Sequence, residues 1–336
     1  GGAGGGMVYN IDELKVVCAR GLQASLVGQV LVEECISGWE ELELEVVRDA
    51  NDNVITVCFI ENIDPIGVHT GDSFCSAPML TISEDVQKKL QEYSYKIVKA
   101  IEVIGGCNCQ FAHDPVSGRI VVIEINPRTS RSSALASKAT GFPIALVSAM
   151  LACGLTLDEI PCGKYGTLDK YVPGGDYVVI KFARWAFEKF KGTDTTLTTR
   201  MKAVGEIMAI GRTFEEAFGK AMRSLEDGHA GLSADGDNLA AVPDDELGGR
   251  VASPTEDRIF ALAEALRRGW NHERVHELTG IDPWFISRIA DMIAVQESVR
   301  GLRVEDIDAD AMRLLKQYGA SDAEIAQLTG SDERFV

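Results

Sequence analysis

The sequence predicts an α+β lobe, with a mixed or antiparallel sheet and flanking helices, followed by an all-helical region. Three observations predict this class. Two strand-like runs, 41–47 and 54–60, flank a polar turn, which is typical of a β-hairpin. Residues 84–104 carry apolar side chains at helical spacing. Beyond residue 250 the pattern is helical throughout.

The first elements follow from local signals. Asn10 precedes a helical pattern and predicts a capped helix start. Strands are predicted at 29–34, 41–47 and 54–60, and the last two are joined by the turn at 49–53. The strand at 41–47 alternates acidic with aliphatic residues, so we expect a sheet with one solvent-exposed face.

A second hairpin follows the amphipathic helix. Its strands are predicted at 109–112 and 119–125, around a turn at 114–118. Residues 141–153 predict a helix with Pro143 in its first turn, where the missing N–H of proline costs nothing.

The last third of the chain divides into a linker and a helical repeat. Residues 227–250 are rich in Gly, Asp and Pro and predict a linker between an α+β part, 1–226, and a helical part, 251–336. Leu-Thr-Gly at 278–280 recurs fifty residues later at 328–330. We therefore expect two related helical halves.

Charge and composition exclude several classes. The chain has 336 residues and a net charge of −18, with 51 acidic against 33 basic side chains, which argues against nucleic-acid binding. We expect neither a membrane span, which needs an apolar run of ~20 residues, nor a signal peptide. The first residues are glycine-rich without an initiator Met, and a helical pattern runs into Val336. We therefore expect the natural chain to extend in both directions.

The eight cysteines show no metal-binding spacing. Cys107 and Cys109 form a lone C-x-C that no second pair or flanking His completes. On a strand both thiols point to one face, so we interpret them as packing residues. Free thiols in a chain of this size indicate a reducing cytoplasm.

The most informative stretch is the strand that ends before Arg128. It places Glu124 and Asn126 on one face, and Gln110 on the preceding strand of the hairpin lies across from them. One carboxylate and two amide oxygens predict an oxygen-only site for a hard divalent cation. Arg128 and Arg131 follow and offer guanidinium groups to phosphoryl oxygens. On this motif alone, a surface hairpin ending in a polar turn remains an equal alternative.

The longer run 124–145, with its serine-rich stretch, resembles the signature of the carbamoyl phosphate synthetase large-subunit family. Four further segments resemble the same family: Ile60-Glu61-Asn62, His69 to Ser73 with Ala77-Pro78, Phe187 to Phe190, and Met201 to Arg212. The resemblance covers residues 1 to about 226 closely. The helical tail resembles the family's oligomerisation domain more loosely.

The resemblance implies the second half of the first of two ATP-grasp units, plus the start of the oligomerisation domain. Its nucleotide-binding residues would be Gly1 and Gly2 in a phosphate-covering glycine loop, Glu34 and Ile36 at the adenine edge, Glu41 at the ribose, and Gly67, Val68, His69, Gln110 and Glu124. The metal ligands would be Gln110, Glu124 and Asn126, and Arg128 and Arg131 would face the γ-phosphate and bicarbonate. Ala3 and Thr129 stand where the family often has Ser and Val, and the spacer before Gly105 is one residue short.

The implied enzyme makes carbamoyl phosphate from bicarbonate, glutamine-derived ammonia and two ATP, for arginine and pyrimidine biosynthesis. This unit would phosphorylate bicarbonate to carboxyphosphate and form carbamate with ammonia. ATP, Mg²⁺ or Mn²⁺, and K⁺ are the expected cofactors. A small glutaminase subunit, the remaining large-subunit segments and an oligomer are the expected partners. Two alternatives stay open: another ATP-grasp ligase of the biotin-carboxylase type, and a non-catalytic interaction module.

Overall fold

The structure, a computed structural model, describes residues 4–190, 192–232 and 239–336. The strands are β1 (Glu40–Arg48), β2 (Val54–Asn62), β3 (Cys75–Ala77), β4 (Gly105–His113), β5 (Ile120–Asn126), β6 (Pro161–Cys162), β7 (Gly166–Thr167), β8 (Val178–Arg184) and β9 (Gly205–Gly211). The helices are α1 (Ile11–Ala24), α2 (Glu84–Ala100), α3 (Arg131–Thr140), α4 (Ile144–Ala152), α5 (Phe214–Ser224), α6 (Asp244–Ala252), α7 (Arg258–Arg267), α8 (His272–Thr279), α9 (Pro283–Glu297), α10 (Ala309–Gln317) and α11 (Asp322–Thr329). Within these ranges no single helix is long and apolar enough to cross a membrane. Helices α3 and α4 reach that length and apolar character only together, and the pair is bent by 112°.

Seven strands form one antiparallel sheet in the order β5-β4-β1-β2-β3-β8-β9, and β6 pairs with β7. Both predicted hairpins are confirmed. In the first, the Asp49 carboxylate accepts from the backbone N–H groups of Asn51 and Asn53 at 2.9 and 3.0 Å and stabilises the turn. Asn10 caps α1 as predicted, accepting from two backbone N–H groups of the first turn.

Helices cover both faces of the sheet. On one face α2 packs against Leu42, Leu44 and Phe111, and the two predicted packing thiols, Cys107 and Cys109, lie in that core. On the other face α3 and α4 pack against the middle of the sheet. The prediction of one solvent-exposed face on β1 is therefore wrong. The acidic side chains of β1 lie under helix α3 and the β2–β3 loop, which supply hydrogen bonds in place of water.

The run 29–34 forms no strand, so that prediction is also wrong. Its side chains are mostly exposed, and Leu31 is 80% exposed. The physical reason is that a strand requires a neighbour. Within the described residues no other strand pairs with this run.

The predicted linker is wrong in its second half. Residues from 244 onward belong to α6, where Leu247 and Val251 are fully buried. These two apolar side chains, four residues apart on one helix face, outweigh the local Gly and Asp content. They join a core that continues from Phe182 and Phe218 to Phe285, so the helical part packs directly on the β8–β9 end of the sheet.

The helical repeat is present. Helix α7 is followed by Gly269, α8 by Gly280, α10 by Gly319 and α11 by Gly330. All four glycines adopt the left-handed backbone conformation, with φ of +81°, +70°, +84° and +65° respectively. Glycine adopts this conformation without steric cost, and it ends a helix cleanly. The fifty-residue offset therefore marks two helical hairpins with equivalent turns.

Candidate functional site

The site is built around a buried carboxylate, Glu43, on β1. Because side chains alternate along a strand, Glu41, Glu43 and Glu45 point to one face of the sheet. They are only 6%, 2% and 0% exposed respectively. Glu43 accepts from Thr70 Oγ1 (2.5 Å), Asn62 Nδ2 (3.0 Å), Asn108 Nδ2 (3.0 Å), Ser132 Oγ (3.0 Å) and, at longer range, Gln110 Nε2 (3.5 Å).

The hydrogen bonds decide the ionisation of Glu43. Burial alone would raise its pKa, but the donations from Thr70, Asn62 and Asn108 outweigh burial and hold the pKa below the usual range. Glu43 is therefore a carboxylate at neutral pH. All five donors are uncharged, so its negative charge is solvated by the protein rather than paired.

The two neighbouring acids behave differently. Burial raises the pKa of both Glu41 and Glu45 to about 8, and repulsion from Glu43 contributes. Glu45 accepts from Asn108 and Ser133 at 2.9 and 3.0 Å. Among the described residues, the Glu41 carboxylate has no hydrogen-bond partner. A cation brought to this face would favour ionisation of both groups.

The strand register brings the predicted metal-binding residues together. Gln110 pairs with Glu43 on one side and with Glu124 on the other. Asn126 donates from Nδ2 to Glu124 Oε1 at 2.9 Å. Arg128 Nη2 donates to Asn126 Oδ1 at 3.3 Å, and so lies directly beside the set.

The serine-rich stretch forms α3, which begins at the site. Ser130 caps the helix and exchanges hydrogen bonds with Ser133, which forms a capping box. Small residues at three of the four buried positions, Ser133, Ala136 and Ala139, allow the helix to approach the sheet closely. Arg131, the first residue of α3, contacts Met201 Sδ through Nη1 at 3.4 Å. Both predicted arginines therefore lie just beyond the end of β5.

The loop between β2 and β3, residues 63–74, carries three predicted site residues, Gly67, Val68 and His69. Gly67 has φ of +134°, a conformation that favours glycine. The His69 ring accepts from the backbone N–H of Gly71 at 2.9 Å, and burial lowers its pKa, so His69 is neutral at pH 7. Thr70, the next residue, donates to Glu43 and ties the loop tip to the acidic face.

The predicted adenine-edge residues lie at the other end of the strands. Glu34 is exposed and forms a bidentate pair with Arg119, at 2.9 and 2.8 Å, which lowers the pKa of Glu34. Ile36 is half-buried in the segment that leads into β1. Gly1 and Gly2, the predicted glycine loop, lie outside the described residues.

A hard divalent cation fits this donor set. Among the described residues, no group of three or more His, Cys, Asp or Glu side chains is placed to hold a metal ion, so protein acids alone do not form a site. Gln110 is oriented instead by its amide nitrogen, which faces Glu43 at 3.5 Å; among the described residues, none donates to its carbonyl oxygen. With the Glu124 carboxylate and the Asn126 amide, it offers oxygen ligands to a metal that shares phosphate oxygens.

The sequence alone assigned no role to the residues that hold the acidic face. They are Glu43, Glu45, Asn62, Thr70, Asn108, Ser132, Ser133 and Lys181. The available signal was the period-two spacing of the acids on β1. Together with amides on the adjoining strands, it would have indicated a polar face inside the protein rather than a surface.

Two solved structures are similar to this chain at a low level. One is the biotin carboxylase domain dimer of the Hydrogenobacter thermophilus 2-oxoglutarate carboxylase, in complex with MgADP, ADP and bicarbonate. It is 16% identical, with a TM-score of 0.49 over 65% of this chain and 51% of that chain. The other is a biotin carboxylase complex from Campylobacter jejuni, 16% identical, with a TM-score of 0.47 over 62% of this chain and 50% of that chain. At these values the likeness carries no functional argument.

Sequence comparisons are far more specific. Residues 1–160 match the family model described as the carbamoyl-phosphate synthase L chain, ATP binding domain. Residues 206–336 match the carbamoyl-phosphate synthetase large chain, oligomerisation domain. The fold class predicted from the sequence, an ATP-grasp α+β lobe followed by helices, is therefore confirmed.

Relatives match over the whole chain. The carbamoyl phosphate synthase large chain of Xylella fastidiosa (strain Temecula1) is 50% identical over 340 residues, which cover 100% of this chain and 32% of the relative. That of Archaeoglobus fulgidus is 46% identical over 342 residues, with the same two coverages. The chain thus spans about a third of the length of these relatives. It belongs to the carbamoyl phosphate synthase large-chain family.

Proposed function

We propose that this chain forms the metal- and nucleotide-binding half of the ATP-grasp unit that phosphorylates bicarbonate in a carbamoyl phosphate synthase large chain. The observation that carries the proposal is the order of residues along the strands. Glu34 and Ile36 precede β1 at one end, Glu41 comes next, and Gln110 lies beside Glu124. This order matches the base, ribose and phosphates of ATP. The two arginines that follow β5 lie at the phosphate end.

Each of these side chains would have a distinct role in binding ATP, the metal ion or bicarbonate. The Glu41 carboxylate would accept from the ribose hydroxyls. Gln110, Glu124 and Asn126 would hold Mg²⁺ or Mn²⁺, which when bound supplies positive charge to the phosphate oxygens. Arg128 and Arg131 would orient bicarbonate and neutralise the charge on the transferring phosphoryl group.

The reaction requires positioning more than covalent chemistry. A bicarbonate oxygen attacks the γ-phosphorus, the bond from that phosphorus to ADP breaks, and carboxyphosphate forms. Ammonia then attacks the carboxyl carbon and displaces phosphate, which leaves carbamate. Since no protein nucleophile takes part, catalysis rests on alignment and charge neutralisation by the groups named above.

The wider setting is part of the same proposal. A small glutaminase subunit would supply ammonia, and the helical region would take part in oligomerisation. The product would serve arginine and pyrimidine biosynthesis. All eight cysteines are free thiols, which supports a reducing cytoplasm as the location. We place the end of the α+β lobe near residue 226 and the start of the helical part at α6.

Labelled bicarbonate tests the proposal directly. The full-length large chain is incubated with ATP, Mg²⁺ and bicarbonate that carries heavy oxygen, and the released phosphate is analysed by mass spectrometry. We expect one labelled oxygen in the phosphate, because the attacking oxygen stays on phosphorus. ATP hydrolysis that yields unlabelled phosphate would mean that water is the nucleophile, and would contradict the proposal.

The 336-residue chain alone should hydrolyse no ATP in a bicarbonate-dependent manner. Glu124 and Arg128 are exposed, so the site is open to water on one side. An open site forfeits much of the roughly 7–11 kcal/mol available from alignment of the reactants. Phosphate release by this chain, compared with release by the full-length large chain under the same conditions, checks the expectation.

A further inference from the structure

The β2–β3 loop is closed at its base by Asp64. The backbone N–H of Asp64 donates to Ser73 Oγ at 3.3 Å, and the backbone N–H of Phe74 donates to Asp64 Oδ2 at 3.2 Å. The Ile63 N–H donates to the Phe74 carbonyl oxygen at 2.8 Å. These bonds join the two ends of the loop, so the Asp64 carboxylate helps to determine its shape.

Arg258, the first residue of α7, forms an ion pair with Asp64 through Nη2 and Oδ1. The two side chains are only 8% and 2% exposed. An unpaired carboxylate at this depth would be strongly destabilising, and the Arg258 guanidinium offsets that cost. Burial lowers the pKa of Arg258 to about 10, which leaves the guanidinium charged at neutral pH.

A second contact joins the same loop to the helical region. The turn at Gly280, between α8 and α9, lies against Pro65, and a side chain at position 280 would come within 2.9 Å of Pro65 Cγ. The helical region therefore touches the base of the loop at two adjacent residues, Asp64 and Pro65. Packing at Pro65 limits how far the base can move if the ion pair is lost.

The tip of the loop faces the proposed nucleotide site. Thr70 donates to Glu43 at 2.5 Å, and Lys181 Nζ donates to the Thr70 carbonyl oxygen at 2.8 Å. Gly67 and His69 lie in the same tip. The loop thus connects the helical region at its base with the acidic sheet face at its tip.

We infer that Arg258 is a positioning residue for ATP binding: by pairing with Asp64 it holds residues 63–74 in the shape that presents their tip to the nucleotide. The helical region that matches the oligomerisation domain then contributes to the affinity of a site in the other domain. This inference rests on the proposed function, since it takes ATP as the ligand at the loop tip.

Four variants of the full-length large chain test the inference: Arg258→Met, Arg258→Lys, Asp64→Asn and the double variant Asp64→Asn/Arg258→Met. Arg313→Met, which breaks an exposed pair on α10, is the matched control. Amide hydrogen exchange over residues 66–73 reports on the loop. We expect exchange to speed up at least about tenfold in Arg258→Met. Arg258→Lys should recover much of the protection, and the control should match the wild type.

Kinetics separate positioning from general destabilisation. In Arg258→Met we expect the KM for ATP to rise about tenfold while kcat changes less than about threefold, since the loop contributes to binding rather than to the reacting atoms. An unchanged KM in a folded Arg258→Met protein would overturn the inference. If Arg258→Met does not fold, the double variant Asp64→Asn/Arg258→Met, which has neither charge, is measured instead. A wild-type KM for ATP in the double variant would also overturn the inference.

The proposed function can be tested separately from the role of Arg258. A wild-type large chain that shows no bicarbonate-dependent ATP hydrolysis would overturn the proposed function, whatever the loop does. Faster exchange in Arg258→Met would still show that the ion pair holds the loop. A KM effect without faster exchange would contradict the loop as the route, and with it the inference.

Discussion

Acidic side chains do different work in the two halves of this molecule. On the sheet, Glu43 and Glu45 are buried and accept only from uncharged donors. In the helical region the buried Glu264 is bound by two arginines, Arg267 and Arg268, and exposed acids such as Asp310 pair with arginines one turn away. Glu264 and Asp310 are thus neutralised by arginines, whereas Glu43, whose pKa is lowered, keeps its negative charge among neutral donors.

This difference shows that acidic residues can have two roles in one chain: they form a polar face on the sheet, and they pair with arginines in the helical region. The net charge of −18 argued only against nucleic-acid binding. The location of the acids reveals more. Neutral donors fix the orientation of the Glu43 carboxylate without cancelling its charge, which suits a face that receives a cation from solution. Arginine pairs in the helical region stabilise packing and leave little potential for a ligand.

Replacing Glu43 should have the largest effect on stability. Glu43→Ala removes the acceptor that five buried or half-buried donors share. Each lost hydrogen bond costs about 1–3 kcal/mol, and although Asn62, Thr70 and Asn108 each have a second acceptor, we expect a loss of several kcal/mol or no folded protein. Glu43→Gln keeps one acceptor and should lose less. Urea unfolding followed by circular dichroism measures both.

The exposed pair in the helical region is the control for that comparison. Asp310→Asn removes a charge that is paired only at the surface, and we expect no measurable shift of the unfolding midpoint. Equal losses in Glu43→Gln and Asp310→Asn would contradict the distinction between the two regions.

The sheet acids should also make stability depend on pH. The raised pKa of Glu41 and Glu45, to about 8, means that each contributes stability that is complete below the ordinary glutamate pKa and is lost as pH rises toward about 8. Glu43, with its lowered pKa, contributes stability that is lost only at acidic pH.

We therefore expect the urea midpoint to fall between about pH 5 and about pH 8, by an amount worth a few kcal/mol. Glu41→Gln and Glu45→Gln should each flatten this slope, because neither amide titrates. A wild-type profile that is flat over the range, or a slope that both variants leave intact, would contradict the assigned burial of these carboxyl groups.

The helical repeat offers a smaller and well-matched test. Gly269 and Gly319 occupy equivalent turns with nearly the same φ, so Gly→Ala costs about 1–2 kcal/mol of backbone strain at each. The added methyl group at Gly319 would also lie 2.4 Å from the carbonyl oxygen of Glu215 on α5, whereas Gly269 has open space. We expect Gly319→Ala to lose an additional ~1–3 kcal/mol. Equal unfolding midpoints for the two variants would show that the α5 contact is absent.

Local signals in the sequence predicted most of the elements. The hairpins and the Asn10 cap depend on residues close together in the chain, and the repeat shows directly as a recurrence in the sequence; each is present. The strand predicted at 29–34 failed because pairing depends on a distant partner. The predicted solvent exposure of the β1 acids failed for a related reason: alternation shows that they share a face, but not what covers it.

The candidate site divides in the same way. Glu124 and Asn126 share a strand face by simple periodicity, and the hairpin brings Gln110 opposite them. The role of Glu43 needed the positions of Thr70 and Ser132, which come from a loop and a helix far along the chain. The pairing of Asp64 with Arg258 left no local trace in the sequence at all.

The most direct test of the metal- and nucleotide-binding role is Glu124→Gln in the full-length large chain, with bicarbonate-dependent ATP hydrolysis as the readout. Glu124 is the carboxylate in the proposed ligand set, and losing its charge should reduce turnover at least about a hundredfold while the fold is kept. Glu92→Gln, on the exposed side of α2, is the control and should leave turnover unchanged. We predict that turnover falls in Glu124→Gln and not in the control. Near-normal turnover of Glu124→Gln at ordinary Mg²⁺ concentration would contradict the assignment of this sheet face as the catalytic site.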